Sequence, residues 1–367
     1  MPGAPPASHG YTQVATLNPD GTGVAWLGRI GHVSGLSWTD TVPGGNEQLQ
    51  CTLQADPRYR STALDPGRLI RAYKGGSVQF EGILDEPTPG DAGWQLTGAG
   101  AGTWGGRYQA IYSSWTATDI LNQAIGRGLG WVVGSIGSGY LAQQYDSGSQ
   151  TVQDFLNQYT SPGSATWRVH RTAAGNQIDV YPIPTTPTRI LIATAPAART
   201  LAGYYNAIWI RYQNNNPATG SNTSPTYAVT SVTNAASIAK HGRLETYWDL
   251  SSAGYLTTAA AQAYGNNALA KYQAASWSGP FTAAPGQYRT MGGAAVDLGT
   301  EHAGEVAQLV LADGPYGGEV SPAPPVKFLV GKYEYRDGDG TAVITPYQYW
   351  ASDLSGMIQS LTPQKTP

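Results

Sequence analysis

Two octads of one form, T-x-x-D-x-L-N-Q, begin at Thr116 and Thr151, and each carries an acid, Asp119 and Asp154. Paired carboxylates are the minimum equipment of a glycosidase, so the first question is whether these two exchange protons with a substrate. Their setting gives them a simpler task. In each octad Thr stands three residues before Asp at the head of an apolar run, Ile120, Leu121, Ala124 and Ile125 in the first, Phe155, Leu156 and Tyr159 in the second. That is the capping-box pattern: the Thr hydroxyl takes a first-turn N–H, and the acid at N3 reaches back while facing the positive helix end. Capping accounts for both aspartates without catalysis.

Other residue sets with chemical potential fail on context. GAGTWG (100–105) fits G-x-G-x-x-G, and Asp119 lies about twenty residues on, as a dinucleotide fingerprint requires. The following GRYQAIYSS has strand or loop character, where the pyrophosphate needs a helix N-terminus. DGDG (337–340) resembles a calcium loop, but Thr341 and Ala342 break the ligand pattern, so a turn is expected. His9, His32, His170, His241 and His302 form no i,i+4 pair and no HExxH, and no G-x-S-x-G occurs. A zinc hydrolase and a nucleophile elbow thus have no sequence support, whereas a Ser–His–Asp triad assembled from distant residues stays open. KHGRLE (240–245) concentrates charge in a charge-poor chain; a structural salt link or an intersubunit contact is favoured over catalysis. Cys51 alternates with Leu49 and Leu53 on one strand face, the place of a buried thiol acting as a small hydrophobe. No catalytic, cofactor-binding or metal-ligating residue is assigned.

The elements that carry these residues are mostly strands. The 367-residue chain is only 12% charged, with 47 Gly, 25 Pro, 23 Tyr and 11 Trp against 4 Phe. Such a composition fits many short strands with Gly/Pro turns and half-buried aromatic surfaces. A net charge of −3 without a basic run argues against sequence-reading of nucleic acid and leaves room only for non-specific contact with passing DNA. A single Cys allows no internal disulfide. MPGAPPASHG has neither basic n-region nor apolar core, and no stretch approaches 18 apolar residues, so neither a signal peptide nor a membrane span is expected.

Along the chain, 11–105 reads as β. In 106–184 a helix–turn–strand unit is made twice, the strands being GWVVG and ATWRVH, the second turning through TAAGN into QIDVYPIP. NAIWIRYQ (206–213) is expected as a strand covered on both faces, and NNNPATGSNTSPT (214–226) as a polar loop. YLTTAAAQAYGNNALAKYQ (255–273) is an Ala-rich helix that Gly265 weakens, KYEYRDGDGTAVITPYQYW (332–350) a hairpin, and SDLSGMIQSL a short helix.

The order of these segments resembles the central hub proteins of phage tail tips and baseplates, also called minor tail proteins. The resemblance rests on LDPGRLIRAYKGGSVQFEGILDEP (64–87), on TVQDFLNQYTSPGSATWRVHRTAAGNQIDVYPIP, and on NAIWIRY followed by SIAKHGRLETYWDLSS and the Ala-rich helix. It spans about 25–350 through the order of weak motifs, and Arg-rich, Lys-poor usage suits an actinobacterial siphophage. The fold implied is mainly β and multidomain: two barrel-like β domains with an inserted small α+β domain. The boundaries expected are 1–105 for the first barrel-like domain (completed by 185–205), 106–184 for the α+β domain, 206–352 for the second, and 353–367 for a tail. The function implied is a structural, non-enzymatic homotrimer at the distal end of the virion tail. It would close the tube, adapt its sixfold symmetry to a threefold tip, and form part of the DNA-ejection channel. Distal tail or tail-tube proteins, the tape-measure protein and tip fibre or spike proteins would be its partners. The chain shows no appended enzymatic or fibre domain, which disfavours lytic activity. Two other classes fit the composition: a carbohydrate- or receptor-binding β protein, with exposed aromatics in a groove, and a cell-wall hydrolase, with acids or a partnered His converging in a cleft.

Overall fold

The computed structural model describes residues 12–55, 61–111, 116–137, 150–160, 165–193, 205–215, 224–272, 280–311 and 326–347. The expected helix in SDLSGMIQSL, the tail and most of the 214–226 loop lie outside them. The fold is mainly β, in several sheets, and the chain divides into two compact units, 1–196 with 280–349, and 197–279 with 350–367. The span 206–352, expected as one domain, is therefore divided between the units. Its returning strands pair with partners far earlier in the chain, which no local pattern announces.

In the first unit, strands run from Gln13–Leu17 to Gly93–Gly100 in antiparallel pairings. Alternation decides what each buries. Leu49, Cys51 and Leu53 point inward from Gly44–Gln54, and Ile70 and Ala72 from Leu69–Lys74. Burial pushes the Cys51 thiol up to about 12, so it stays protonated and inert. Strand His32–Thr41 pairs on its other side with Val326–Arg336, Thr41 facing Lys332 and Ser37 facing Arg336. Trp38 packs against Tyr335, their ring centroids 4.6 Å apart. Val326–Arg336 turns back into Thr341–Pro346 through Asp337–Gly340, where Asp339 Oδ1 accepts from the Thr341 N–H at 3.1 Å. DGDG is a hairpin turn.

Within this unit, helices α1 (Ala117–Gly126) and α2 (Val152–Tyr159) begin at the two octads. Thr116 and Asp119 form the complete capping box, with backbone–side-chain bonds of 3.2 and 3.0 Å. At α2 the Thr151 hydroxyl accepts from the Asp154 N–H at 3.1 Å and donates to its carboxylate at 2.6 Å. Ile120, Leu121, Phe155 and Leu156 close a core with Trp131, Trp167, Ile178 and Val180. The two strands that follow the helices, Trp131–Ile136 and Ala165–Thr172, flank Gly175–Pro182, the first parallel and the second antiparallel to it.

Among the described residues, the second unit is one three-stranded sheet and two helices. Ala207–Gln213 lies between antiparallel Tyr227–Thr233 and parallel Glu245–Tyr255. Helix α3 (Ala235–His241) connects the outer strands, and α4 (Thr258–Tyr272) packs on one sheet face. Ile208, Ile210, Val232, Trp248 and Leu250 are buried there with Ala261 and Leu269. Gly265, read above as a weakness of the helix, is the contact point: a Cβ there would lie 2.5 Å from Ile210 Cδ1 and from Val232 Cγ2. Propensity is given up for close approach.

Candidate functional site

The residues singled out for chemistry do not converge. Asp119 and Asp154 are exposed helix-cap acids, and the hydrogen bonds from Thr116 hold the Asp119 carboxyl below its ordinary range. GAGTWG enters a 3-10 helix, Ala101–Arg107, with Trp104 buried and its indole N–H on the Ala99 carbonyl at 3.1 Å. A Cβ on Gly105 would lie 2.7 Å from the Trp131 ring, so packing, not phosphate, demands that glycine. In KHGRLE, Arg243 pairs with Glu245 at the surface; the side chains of Lys240 and His241 lie outside the described set. His32 is exposed beside a groove of about 840 Å³ lined by Thr12, Trp26, Arg29, Leu36 and Asp337. Asp337 there already accepts from Thr12 and from Tyr335. Among the described residues no three His, Cys, Asp or Glu are placed to hold a metal ion, and no helix is long and apolar enough to cross a membrane.

Two histidines do meet, at a joint that sequence reasoning missed. Asp40, 1% exposed, accepts from the Ala303 N–H at 2.9 Å. Its Oδ2 lies 3.7 Å from Arg168 Nη2 and 3.8 Å from His302 Nδ1, while His170 Nδ1 lies 3.5 Å from Asp179 Oδ2. Three distant stretches, 32–41, 165–182 and 302–305, are thereby tied together. Among the described residues, no Ser, Thr or Cys hydrogen bond to either imidazole is seen. A second joint centres on Glu81, 2% exposed, which takes hydrogen bonds from Arg71, from Arg171 at 3.1 Å and from Asn176 at 2.6 Å. Glu81 lies in the 64–87 segment that carries the resemblance, but nothing there assigns it a role, and Asp40 lies in no motif; the available signal was only that any acid within a strand of so charge-poor a chain needs a partner.

The Asp40 joint is expected to make the fold acid-sensitive. Burial, and then the Arg168 guanidinium, push His170 below its ordinary 6.5; for His302 burial leads, and Arg168 and His170 act with it. Asp179 and Asp40 for His170, and Asp40 and Glu305 for His302, oppose the shift without reversing it. As pH falls through 6.5, the unfolded chain takes up these protons before the folded one, and stability declines until the folded sites also protonate. Thermal midpoints recorded from pH 8 to 5 should therefore drop below about pH 6.5. The drop should be shallower in the His170→Gln/His302→Gln double variant, and equal slopes in both proteins would remove the joint as the cause.

The face of the second unit's sheet that α4 does not cover is the other concentration of aromatic and charged side chains. Expected to be buried on both sides, the central strand is in fact two-sided. Ile208, Ile210 and Tyr212 face the helix, whereas Trp209, Arg211 and Gln213 face outward, with Trp209 39% exposed. The strand pairing places Trp209 between Ser231 and Tyr247, Arg211 between Val229 and Asp249, and Gln213 between Tyr227 and Tyr255. Arg211 bonds Asp249 at 2.9 Å and lies over the Tyr227 ring, 4.4 Å from its centroid.

With this geometry in hand, the chain can be set beside known proteins. No protein-family model matches its sequence, and no curated protein matches it. Solved structures do. The 43 kDa tail protein of prophage MuSo2 from Shewanella oneidensis superposes with a TM-score of 0.58 at 11% identity, over 92% of this chain and 98% of that one. This is a phage tail-protein fold. The tail protein from Neisseria meningitidis MC58 has a TM-score of 0.56 at 10% identity, over 96% and 99% of the two chains. Prophage tail protein gp18 from Listeria monocytogenes EGD-e gives 0.55 at 12%, over 95% and 98%. Near-complete coverage in both directions means that the tail-protein fold accounts for both units. At such identities the likeness is one of backbone, and side-chain roles belong to this chain alone.

Proposed function

We propose that the chain is a structural virion protein, the trimeric hub that closes the distal end of a phage tail tube. Three copies would adapt the sixfold tube to a threefold tip and line part of the DNA-ejection channel. Tail-tube, tape-measure and tip fibre or spike proteins would be the neighbours, and the host of such a siphophage would be an actinobacterium. One observation carries the proposal: the fold matches tail proteins over nearly the whole length of both chains. The composition supports it, since 12% charge and a surplus of Tyr and Trp suit surfaces that partners cover. The acids and histidines found together act as ties between strands, which supports a structural role over an enzymatic one.

Light scattering on the purified 38.7 kDa chain, followed by two-dimensional classification of particles, tests the assembly. The expected particle holds three chains around an open axis. A chain that stays monomeric at high concentration and is absent from purified virions would overturn the proposal.

A further inference from the structure

We propose that the uncovered face of the second unit's sheet binds an uncharged glycan, independently of the role in tail assembly. The face carries aromatic rings around a polar centre. Trp209, Tyr227, Tyr247 and Tyr255 are each between 39 and 55% exposed. Among the described residues Val229 is the one exposed large aliphatic side chain of this face. Trp209 stands beside Tyr247 in the pairing, and Glu245, on the strand of Tyr247, is held by Arg243. At 39% exposure Trp209 can offer a ligand its ring as well as its indole N–H. Sugars meet aromatic rings in this manner, through the C–H groups on one side of a pyranose, while their hydroxyls seek planar donors and acceptors. Arg211 and Asp249 stand in the middle of the array, locked by each other and by the Tyr227 ring. Guanidinium N–H groups and carboxylate lone pairs beyond those used in that bond are available to hydroxyls.

Charge and desolvation select among possible occupants. Arg211 and Arg243 are balanced by Asp249 and Glu245 on the same face, so an anionic polymer gains no net attraction. A dry protein surface laid over the array would strip water from the Arg211–Asp249 pair, a cost that the pair's mutual attraction does not reliably recover. A glycan replaces that water with hydroxyls. From the Trp209 row to the Gln213 row the strand rises about 13 Å, enough for a short oligosaccharide laid along the sheet rather than a single ring.

The test uses the full-length chain on a glycan array carrying neutral oligosaccharides beside sulfated and uronic-acid ones, with calorimetry on the best neutral hit. Binding to neutral glycans is expected, weakened at least tenfold in Trp209→Ala and separately in Tyr247→Ala, with circular dichroism and thermal midpoint unchanged. Tyr247 is 55% exposed, so its variant guards against a folding defect at Trp209. No neutral ligand at millimolar concentration, binding of acidic glycans alone, or undiminished binding by the Trp209→Ala/Tyr247→Ala double variant would each overturn the proposal. If that double variant instead changed the oligomeric mass, the face would be a contact between protein chains and the glycan assignment would fail, while the hub proposal would stand.

Discussion

Replacing Glu81 by Ala is expected to cost about 3–5 kcal/mol, the toll of removing one partner from a buried ion pair. Glu81 lies on strand Ser77–Leu84, opposite Arg71 of the neighbouring strand. Its carboxylate also reaches across to Arg171 and Asn176, which face each other in the hairpin of 165–182. Its own N–H donates to Asn46 Oδ1 at 3.3 Å. Loss of the carboxylate therefore leaves two guanidinium groups and an amide without their acceptor in a poorly hydrated place. Glu81→Gln keeps an acceptor for Asn176 but not the charge, and should cost less than Glu81→Ala. Urea denaturation of the three proteins checks both statements through the midpoint at constant slope. A cost below about 1 kcal/mol for Glu81→Ala would place this joint in the class of surface ion pairs.

Gly45→Ala should be as damaging for a different reason. Gly45 sits at φ +104°, and a Cβ there would lie 2.0 Å from the Val169 carbonyl oxygen. Strand Gly44–Gln54 meets Ala165–Thr172 at this point, Gly45 beside Val169 and Gly44 beside Arg168. Backbone strain and steric overlap each cost about 1–3 kcal/mol, and the obstacle is backbone rather than a side chain that can swing away. The fitting control is Gly67→Ala, with φ +87° but nothing within 4 Å of its Cβ; it should show the backbone penalty alone. If the two variants melt together, the contact with Val169 adds nothing.

How far such sites can be read in advance depends on the distance over which they are built. Thr116 with Asp119, and Thr151 with Asp154, are separated by three residues, so their capping role was legible from spacing alone, as was the Asp-Gly turn of 337–340. Alternation along NAIWIRYQ was legible too, but not what lay on each side. Residues on both faces implied two covers, and among the described residues of this unit the structure supplies α4 on one side. The joints at Asp40 and Glu81 were not legible because, apart from Arg71 on the strand next to Glu81, the partners named above, His302 and Arg168 for one, Arg171 and Asn176 for the other, stand roughly 90 to 260 residues away. Gly265 was misread because helix propensity is local, whereas Ile210 and Val232, which need its missing side chain, belong to the sheet.

The late return of the chain to its first unit also sets the order of events at the ribosome. The three-stranded sheet of the second unit and its helices α3 and α4 are local in sequence, so they can form as soon as residues 205–272 have emerged. Strand His32–Thr41 must wait for Val326–Arg336, since Thr41 pairs with Lys332. At typical synthesis speeds that interval is about 15–60 s, and throughout it one strand edge and the Trp38 ring lack the partners they have in the finished protein. The nascent chain thus carries an adhesive edge, and its yield of assembled protein depends on what shields that edge until the last strands arrive.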